Sequence, residues 1–360
     1  TESEVESAIA ELLDDNEIVL DNIDNTDVIY TKMMYTAETY IANRLASMAS
    51  LEQKKTMTNA AAEALVDEIE QQMGISLAQE QRNAVITSVF SGCMVLTGGP
   101  GTGKTTTINA IIEIMDRMKL SVKLAAPTGR AAKRMSQLTG MEAQTIHRLL
   151  GTQIENGVMT FVHNETNPLK ADVIIIDEVS MIDAELMASF LYAVKHGAKL
   201  ILSGDSDQLP SIGAGNVLRD IIESGAIPVI CLNQIFRQAS KSLIILNAHR
   251  INNGEMPDLS VKDADFFYIR KNNAAEILKT VVDLYRTRLP NTYNVDPFSQ
   301  IQVLSATKKS DIGTINLNKI LQDSVNPYTD LKNEHIYGSM VFREGDKVMQ
   351  IKNNYDIVYT

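Results

Sequence analysis

One short segment constrains the fold of this chain more than any other. Residues 93–115, CMVLTGGPGTGKTTTINAIIEIM, place Gly98-x-x-x-x-Gly103-Lys104-Thr105 after an apolar run and before an amphipathic helical segment. In a phosphate-binding loop, glycines let backbone N–H groups surround phosphate oxygens, and the following helix adds positive potential at its N-terminus. A chance match in a chain of this length is on the order of one per cent. The segment therefore predicts a nucleotide-binding strand–loop–helix unit.

Each residue type in this loop has an expected task toward ATP and Mg²⁺. Lys104 is expected to neutralise the β- and γ-phosphate oxygens, and Thr105 to coordinate the metal. Gln81, in the preceding segment LAQEQRNAV, is a candidate for hydrogen bonding to the adenine edge, the alternative being an ordinary surface glutamine. The predicted nucleotide-binding residues are Gln81, Gly98, Gly99, Pro100, Gly101, Thr102, Gly103, Lys104, Thr105 and Thr106.

Two later segments indicate hydrolysis rather than binding alone. ADVIIIDEVSM ends an apolar run with Asp177, expected to hold Mg²⁺ through water, and Glu178, expected to orient and deprotonate the attacking water. Without a phosphate loop upstream, the two acids could equally be a solvated strand end. Gln208 follows the next apolar run, in LILSGDSDQLPSIGAG, and is expected beside Glu178 as a sensor of the γ-phosphate.

The middle of the chain, residues 75–230, predicts an α/β fold with a parallel sheet. Apolar runs alternate there with segments of helical period, which is typical of strands covered by helices. The segment 151–167, GTQIENGVMTFVHNETN, interrupts this alternation and predicts an inserted β-hairpin. The predicted strands are 93–96, 122–126, 173–176, 200–202 and 228–232.

The flanking regions predict two further parts. Residues 1–74 predict a small, mainly helical module of helix, hairpin and helix, which fits either a packing module or a piece of a winged helix. Its first 31 residues hold no Lys or Arg and many acids, which favours the packing module. Residues 231–360 predict a second alternating region, with strands expected near 266–269 and 301–304 and helices near 274–285 and 312–322.

The net charge of −12 by itself argues against a nucleic-acid partner, because Lys and Arg make the phosphate contacts, but the distribution of charge matters more than its sum. Positive residues occur instead in short clusters, which suit a narrow track along a nucleic-acid backbone. These clusters are Lys123, Arg130, Lys133 and Arg134; His147 and Arg148; Lys241, His249 and Arg250; and Lys308 and Lys309.

The two cysteines, Cys93 and Cys231, lie far apart in apolar runs. Two thiols make neither a disulfide framework nor a zinc cluster, and we expect both to be buried. No apolar stretch approaches the length of a membrane span, and no basic-then-apolar leader precedes the first helix. We therefore expect a cytoplasmic protein without a membrane partner.

As a set, the motifs of residues 75–356 resemble those of superfamily 1 DNA helicases, and their wording is similar to the RecD-like branch, the exodeoxyribonuclease V alpha-subunit family with its free-standing bacterial members. The resemblance implies two RecA-like domains with ATP between them, and ATP-driven 5′ to 3′ movement on single-stranded DNA that unwinds duplex junctions during bacterial recombination or repair. The motifs are Leu77-x-x-x-Gln81, GGPGTGKT, AAPTGRAAKRM, TIHRLLG, IIIDEVSM, GDSDQLPSIGAG, LNQIFRQ and FREGDKVMQIKNNYD.

Position by position, the resemblance implies that Lys104, Glu178, Gln208 and Arg237 are the catalytic residues. Arg237 would reach the γ-phosphate from the second domain, unless it is a structural ion-pair arginine. The hairpin would separate strands, unless it is a plain surface hairpin. His147 is also compatible with a core histidine. The implied DNA-binding residues are Pro127, Thr128, Gly129, Arg130, Thr145, His147 and Arg148.

The sequence departs from this family at one point, because the later motifs V and VI do not follow KNNYD. We therefore expect the second RecA-like domain to be incomplete, and these residues alone not to unwind DNA. Two other functions remain open: the helicase part of a conjugative TraA-type relaxase, and an ATP-switched DNA-binding module without movement. A nicking tyrosine domain upstream would favour the first, and DNA affinity that depends on ATP without appreciable turnover would favour the second. A small-molecule P-loop kinase explains neither Gln208 nor the motifs after it.

Overall fold

The structure, a computed structural model, describes residues 1–23, 25–50, 57–155, 158–234, 241–261 and 265–349. The chain forms two compact units, Thr1–Phe266 and Phe267–Thr360. In the described residues, no helix is long and apolar enough to cross a membrane.

The N-terminal segment has the predicted order of helix, hairpin and helix. Thr1 and Glu4 form a capping box at the start of the first helix. The two strands pair antiparallel from Ile18 opposite Thr31 to Ile23 opposite Thr26. The elements are α1 (Glu2–Asp14), β1 (Ile18–Ile23), β2 (Thr26–Thr31), α2 (Lys32–Ser50) and α3 (Asn59–Met73).

A six-stranded parallel sheet forms the centre of the first unit, which confirms the predicted α/β class. Its strand order is β10-β3-β9-β8-β4-β5. The predicted hairpin is also present as the antiparallel pair β6 and β7. The strands are β3 (Cys93–Thr97), β4 (Val122–Ala126), β5 (Ala143–Thr145), β6 (Thr152–Glu155), β7 (Val158–Phe161), β8 (Val173–Ile176), β9 (Lys199–Gly204) and β10 (Val229–Cys231).

Helices cover both faces of this sheet. Most follow a strand directly, as right-handed crossover connections require. The helices of this unit after α3 are α4 (Gln79–Phe90), α5 (Lys104–Arg117), α6 (Gly129–Thr139), α7 (Ile146–Leu150), α8 (Ala184–Ala193), α9 (Val217–Ser224) and α10 (Leu243–Asn252), with a 3₁₀ turn at Val179–Met181.

Successive strand residues point to opposite faces, so each strand contributes to two cores. On β8, Ile174 packs in one core with α2, α7, α8 and α9. Its neighbour Ile175 packs in the other core with α3, α4 and α5. The helices α2 and α3 are therefore part of the sheet's two cores, since Ile41, Leu45 and Val66 are buried there.

The second unit is mostly helical and ends in a hairpin, β11 paired antiparallel with β12. Arg343 at the end of β12 donates to the Asn326 carbonyl at 2.5 Å and to Glu334 at 2.6 Å, which ties the hairpin to the last helix. Its elements are α11 (Ala274–Asp283), a π-helical turn (Leu284–Arg288), α12 (Leu289–Tyr293), α13 (Pro297–Gln300), α14 (Thr314–Val325), β11 (Glu334–Tyr337) and β12 (Met340–Arg343).

Three expectations were wrong. Residues 266–269 and 301–304 form no strands. Within the described part of the chain no strand pairs with them to complete a hydrogen-bonded ladder, and Phe267 and Leu304 are 54% and 87% exposed. Cys231 is exposed, because it lies at the end of the short edge strand β10, whereas Cys93 is buried on the central strand β3 as expected.

Candidate functional site

The strand order determines which loops meet at one edge of the sheet. All six strands are parallel, so the loops after their carboxyl ends emerge side by side, where α/β folds bind ligands. Across this edge, the loop after β3 lies next to the loop after β9, and then come the loops after β8, β4 and β5. The edge thus brings the phosphate loop, Gln208 and Glu178 to one side, and Thr128 and Thr145 to the other.

The phosphate loop packs too closely against its surroundings to carry side chains at its first two glycines. A Cβ atom at Gly98 would lie 2.7 Å from the carbonyl oxygen of Leu232, and one at Gly99 would lie 2.8 Å from Cε1 of His249. The Lys104 ammonium donates to the carbonyls of Gly98 and, at 3.4 Å, Gly99. The lysine charge is therefore held over the mouth of the loop.

A cavity of about 710 Å³ opens in front of this loop. It contains the lysine, the N-terminus of α5 and several carboxylates, so backbone donors and one ammonium group are available to a polyphosphate, and the residues present fit a nucleoside triphosphate. The lining residues are Gly99, Pro100, Gly101, Thr102, Gly103, Lys104, Thr105, Thr106 and Ile108, then Ala131, Arg134, Met135, Leu138 and Thr139 from α6, then Asp177, Glu178, Asp205, Asp207 and Gln208, and finally Ala248, His249 and Asn252 from α10.

The two acids after β8 have different environments. Asp177 accepts a 2.7 Å hydrogen bond from the Ser203 hydroxyl of the neighbouring strand. Glu178 has a left-handed backbone, with φ 57° and ψ 41°, a conformation that costs free energy for a residue with a side chain. Burial raises the pKa of Glu178, and the charge of Asp177 raises it further, while Lys104 and Arg134 lower it. A carboxylate with a raised pKa is better suited to accept a proton from water.

Magnesium would be held mainly by oxygens that the protein does not supply. In the part of the chain that the structure describes, no group of three or more His, Cys, Asp or Glu side chains could hold a metal ion. Mg²⁺ in nucleotide sites usually takes one or two protein oxygens together with phosphate and water oxygens. Thr105 and Asp177 line the same cavity and fit that limited role.

Gln81 is not the surface glutamine of the alternative interpretation, because it is 2% exposed. Its amide oxygen accepts from the Ala78 backbone N–H at 2.9 Å and caps α4, and its amide nitrogen is 3.4 Å from the Gly103 carbonyl oxygen. The side chain thus contacts the far end of the phosphate loop, and its contact with adenine stays a prediction.

The predicted DNA-binding residues come together on β4 and β5. Ala126 pairs with Thr145, so the segments beginning at Pro127 and Thr145 leave adjacent strands at the same level. Thr128 accepts from the Ala131 N–H at 3.3 Å and caps α6, and Thr145 caps α7 in the same way through the Arg148 N–H at 3.2 Å. Two helix N-termini therefore face the same edge.

The remaining residues of this group differ in exposure. Gly129, Arg130 and Arg148 are exposed. His147 is only half-buried, and its ring lies 6.0 Å from that of Phe161 on β7. The histidine therefore lies where the hairpin joins the sheet edge.

Comparisons with known proteins show which family the chain resembles. Residues 81–214 match the family model of an AAA domain, and residues 317–359 match that of the ATP-dependent RecD-like DNA helicase SH3 domain. The ATP-dependent RecD2 DNA helicase of Deinococcus radiodurans is 37% identical over 280 residues, which are 78% of this chain. The chain belongs to the RecD-like DNA helicase family.

Other relatives of the RecD-like chain match a shorter region. The RecBCD enzyme subunit RecD of Mycolicibacterium smegmatis is 41% identical over 168 residues, 40% of this chain. The chain spans only 36% and 30% of the lengths of these two relatives. Among solved structures, the Pif1 helicase from Candida albicans matches with a TM-score of 0.40 and 23% identity, over 61% of this chain and 55% of that chain.

One predicted catalytic residue of the RecD-like chain, Arg237, lies outside the described residues. Its contact with the γ-phosphate stays a prediction, as do the roles assigned to Lys104, Glu178 and Gln208. In the structure Lys104, Glu178 and Gln208 line one cavity.

The sequence did not single out two nitrogen-bearing side chains of this cavity, an arginine and a histidine. Arg134 and His249 belong to clusters that we expected along a nucleic-acid backbone, but both line the cavity with Lys104. Arg134 comes one turn after Arg130 on α6, and nothing in the spacing distinguishes their surroundings. His249 reaches the phosphate loop from α10, far along the chain, and no sequence pattern signals that approach.

Proposed function

We propose that this RecD-like chain carries the ATP-hydrolysing motor of a DNA helicase, which couples MgATP hydrolysis to 5′ to 3′ movement on single-stranded DNA. One observation carries the proposal. The cavity with Lys104 and Glu178 and the helix N-termini at Thr128 and Thr145 occupy neighbouring positions on one sheet edge. A change at one set of loops is therefore transmitted through adjacent strands to the other.

In the nucleotide half, each side chain has one task. Lys104 exchanges its carbonyl partners for β- and γ-phosphate oxygens, and Thr105 and Asp177 would hold the Mg²⁺. Bound Mg²⁺ would supply charge neutralisation of the phosphates. Glu178 accepts the proton of the attacking water, and Gln208 positions that water.

In the DNA half, the caps of α6 and α7 hold the backbone of a single strand. N–H groups at a helix N-terminus donate hydrogen bonds to phosphate oxygens without any sequence preference, which suits a motor that must pass every base. Arg130 and Arg148 are exposed beside these caps and add charge. Arg237 is expected to reach the γ-phosphate from the second RecA-like domain, so that loss of this phosphate releases a contact that holds the two domains together.

The test is steady-state ATPase activity of the full-length protein with and without single-stranded DNA. We expect strong stimulation by DNA, and loss of turnover by at least about 100-fold in Lys104→Ala and Glu178→Gln, since each removes a group that stabilises the transition state. Matched controls are Lys170→Ala and Glu185→Gln, which change exposed side chains outside the cavity and should leave turnover unchanged. Equal turnover with and without DNA would contradict a motor and favour a nucleotide-switched binding module.

A further inference from the structure

His249 occupies an unusual position for a histidine on a helix that follows the sheet. Its ring packs on the first turn of the phosphate loop, where a Cβ added to Gly99 would lie 2.8 Å from Cε1 and 3.4 Å from Nε2. The same ring lines the cavity that contains Lys104 and Glu178. A side chain at position 99 would collide with the ring, so the ring can pack here because residue 99 is glycine.

The Nε2 atom of His249 is buried, and within the described residues it has no hydrogen-bond partner. Buried polar atoms in folded proteins are nearly always hydrogen-bonded, because leaving one unpaired costs free energy. The His249 side chain lines a ligand cavity, so a group on the ligand is the partner that best accounts for its unpaired ring nitrogen.

The position of the His249 ring along the phosphate loop indicates which part of a bound nucleotide would be its hydrogen-bond partner. The loop has two ends: Gln81 contacts the Gly103 carbonyl at one end, and the Lys104 ammonium contacts the carbonyls of Gly98 and Gly99 at the other. His249 lies at the Lys104 end, which is also the end near the acidic pair. In a phosphate loop the lysine binds the β- and γ-phosphates, so this end holds the outer phosphates.

The Lys104 ammonium donates to the carbonyl of Gly99, the glycine on which the ring packs, and this nearby positive charge repels a cation from the ring nitrogen. An imidazole with a proton on Nε2 donates a hydrogen bond to a phosphate oxygen, whether the ring is neutral or charged.

We propose that His249 donates from Nε2 to a terminal-phosphate oxygen of the bound nucleoside triphosphate, so that α10 distinguishes a triphosphate from a diphosphate. The inference rests on the proposed function and adds a contact to it. Leu243, the first residue of α10, comes six positions after Arg237 in the sequence. One short stretch of chain would then supply two contacts to the same phosphate.

The test compares two variants of similar size in the full-length protein, His249→Gln, which keeps a side-chain donor, and His249→Leu, which does not. The probes are the magnesium complexes of ADP and of the non-hydrolysable triphosphate AMPPNP, titrated by calorimetry without DNA. We expect His249→Leu to bind AMPPNP at least about 10-fold more weakly while its affinity for ADP changes less than about 2-fold, the effect of one charge-assisted hydrogen bond. His249→Gln should retain most of the AMPPNP affinity, and Ile244→Ala, an exposed site on α10, should match the wild type.

Three outcomes would overturn the inference: unchanged AMPPNP affinity in His249→Leu, equal weakening of both nucleotides, or equal weakening of AMPPNP in both variants. A lowered thermal unfolding temperature together with equal weakening would assign His249 a structural role. Failure of the proposed function is recognised separately, by wild-type ATPase activity that DNA does not stimulate. The ratio of AMPPNP to ADP affinity remains measurable in that case, because it needs neither DNA nor turnover.

Discussion

Lys199 shows how a single buried charge makes the stability of the sheet depend on pH. It is 6% exposed on the central strand β9, and its ammonium donates to the carbonyls of Val89 and Ser91 at 2.8 and 3.0 Å. These carbonyls lie at the C-terminal end of α4, where a positive charge is favourable. Burial nevertheless lowers the pKa of Lys199 to about 8.

The first prediction follows from the sign of this shift. Between pH 8 and 10.5 the unfolded chain binds more protons at this lysine than the folded chain, so the free energy of unfolding rises with pH in that window, by about 3 kcal/mol at most. Below pH 8 the contribution of Lys199 is constant. Urea denaturation at pH 8, 9 and 10 measures the slope, and Lys199→Met should flatten it. An equal slope in the variant would show that other groups cause the pH dependence.

Thr128 has two predicted tasks that one pair of substitutions separates. Thr128→Ala removes the cap of α6 and should cost about 1 kcal/mol of stability. If the threonine also holds a phosphate, the same change should weaken binding of single-stranded DNA about 5- to 10-fold, since it removes one hydrogen bond to a charged group. Thr128→Ser keeps the hydroxyl and should retain both properties. Fluorescence anisotropy with a labelled oligonucleotide measures the affinity.

The chain offers a matched control for this second prediction. Thr58 caps α3 through the Ala61 N–H at 3.2 Å, the same contact that Thr128 makes on α6. Thr58→Ala should therefore lose similar stability and keep its DNA affinity. A similar loss of affinity in both alanine variants would mean that the effect reflects stability rather than contact.

At the level of elements, the inserted hairpin stands apart from the large sheet of the first unit. Its strands β6 and β7 pair with each other and, within the described residues, with no strand of the large sheet. Its base lies beside the candidate DNA edge, where Phe161 packs against His147. A hairpin in this place is suited to separate the two strands of a duplex that is pulled across the edge.

The third prediction is that shortening this hairpin uncouples unwinding from hydrolysis. Replacing residues 153–160 by a short glycine–serine turn should abolish unwinding by the full-length protein, while ATPase activity stimulated by single-stranded DNA remains within about 3-fold of wild type, because neither half of the site loses a side chain. A shortened β1–β2 hairpin serves as the control. Retained unwinding in the β6–β7 variant would support a plain surface hairpin.

The elements that the sequence predicted correctly are those with local signals. The apolar runs that became β3, β4, β8, β9 and β10 are buried or flanked by turn residues, and their pattern needs no knowledge of the partners. The strand β5, with the sequence AQT, has no apolar signal and exists because it pairs with β4. Residues 266–269 and 301–304 show the converse, since a strand-like pattern without a neighbour does not make a strand.

The site residues also divide into those that local sequence signals predict and those that depend on packing. Lys104, Asp177 and Gln208 lie next to strand ends in the sequence, so their meeting at one edge follows from a parallel sheet. The cavity walls formed by Arg134 and His249 depend on how α6 and α10 pack, which the spacing of residues does not encode. The AAA and SH3 matches agree with the family that the motifs indicated, and they give no information on the cavity walls.

For the whole molecule, the distribution of charge limits where DNA can bind. The net charge is −12, and the first 31 residues contain no Lys or Arg. Under the proposed function, this negative charge disfavours single-stranded DNA on an acidic surface and favours it where cations and helix N-termini coincide. The edge at Thr128, Arg130 and Arg148 meets that condition, which suits a narrow track that passes one strand at a time.

The fourth prediction concerns the direction of movement along such a track. A motor that moves in one direction must hold its single strand with one polarity, and the loops after β4 and β5 are the proposed place where the strand is held. Under the proposed function, hydrolysis in the adjacent cavity moves the strand, and the RecD-like family resemblance implies the 5′ to 3′ direction. The full-length protein should unwind a duplex with a 5′ single-stranded tail at least about 10-fold faster than one with a 3′ tail, with blunt duplex and Lys104→Ala as controls. Preference for the 3′ tail would reverse the proposed polarity, and equal rates on both tails would mean that the edge does not orient the strand.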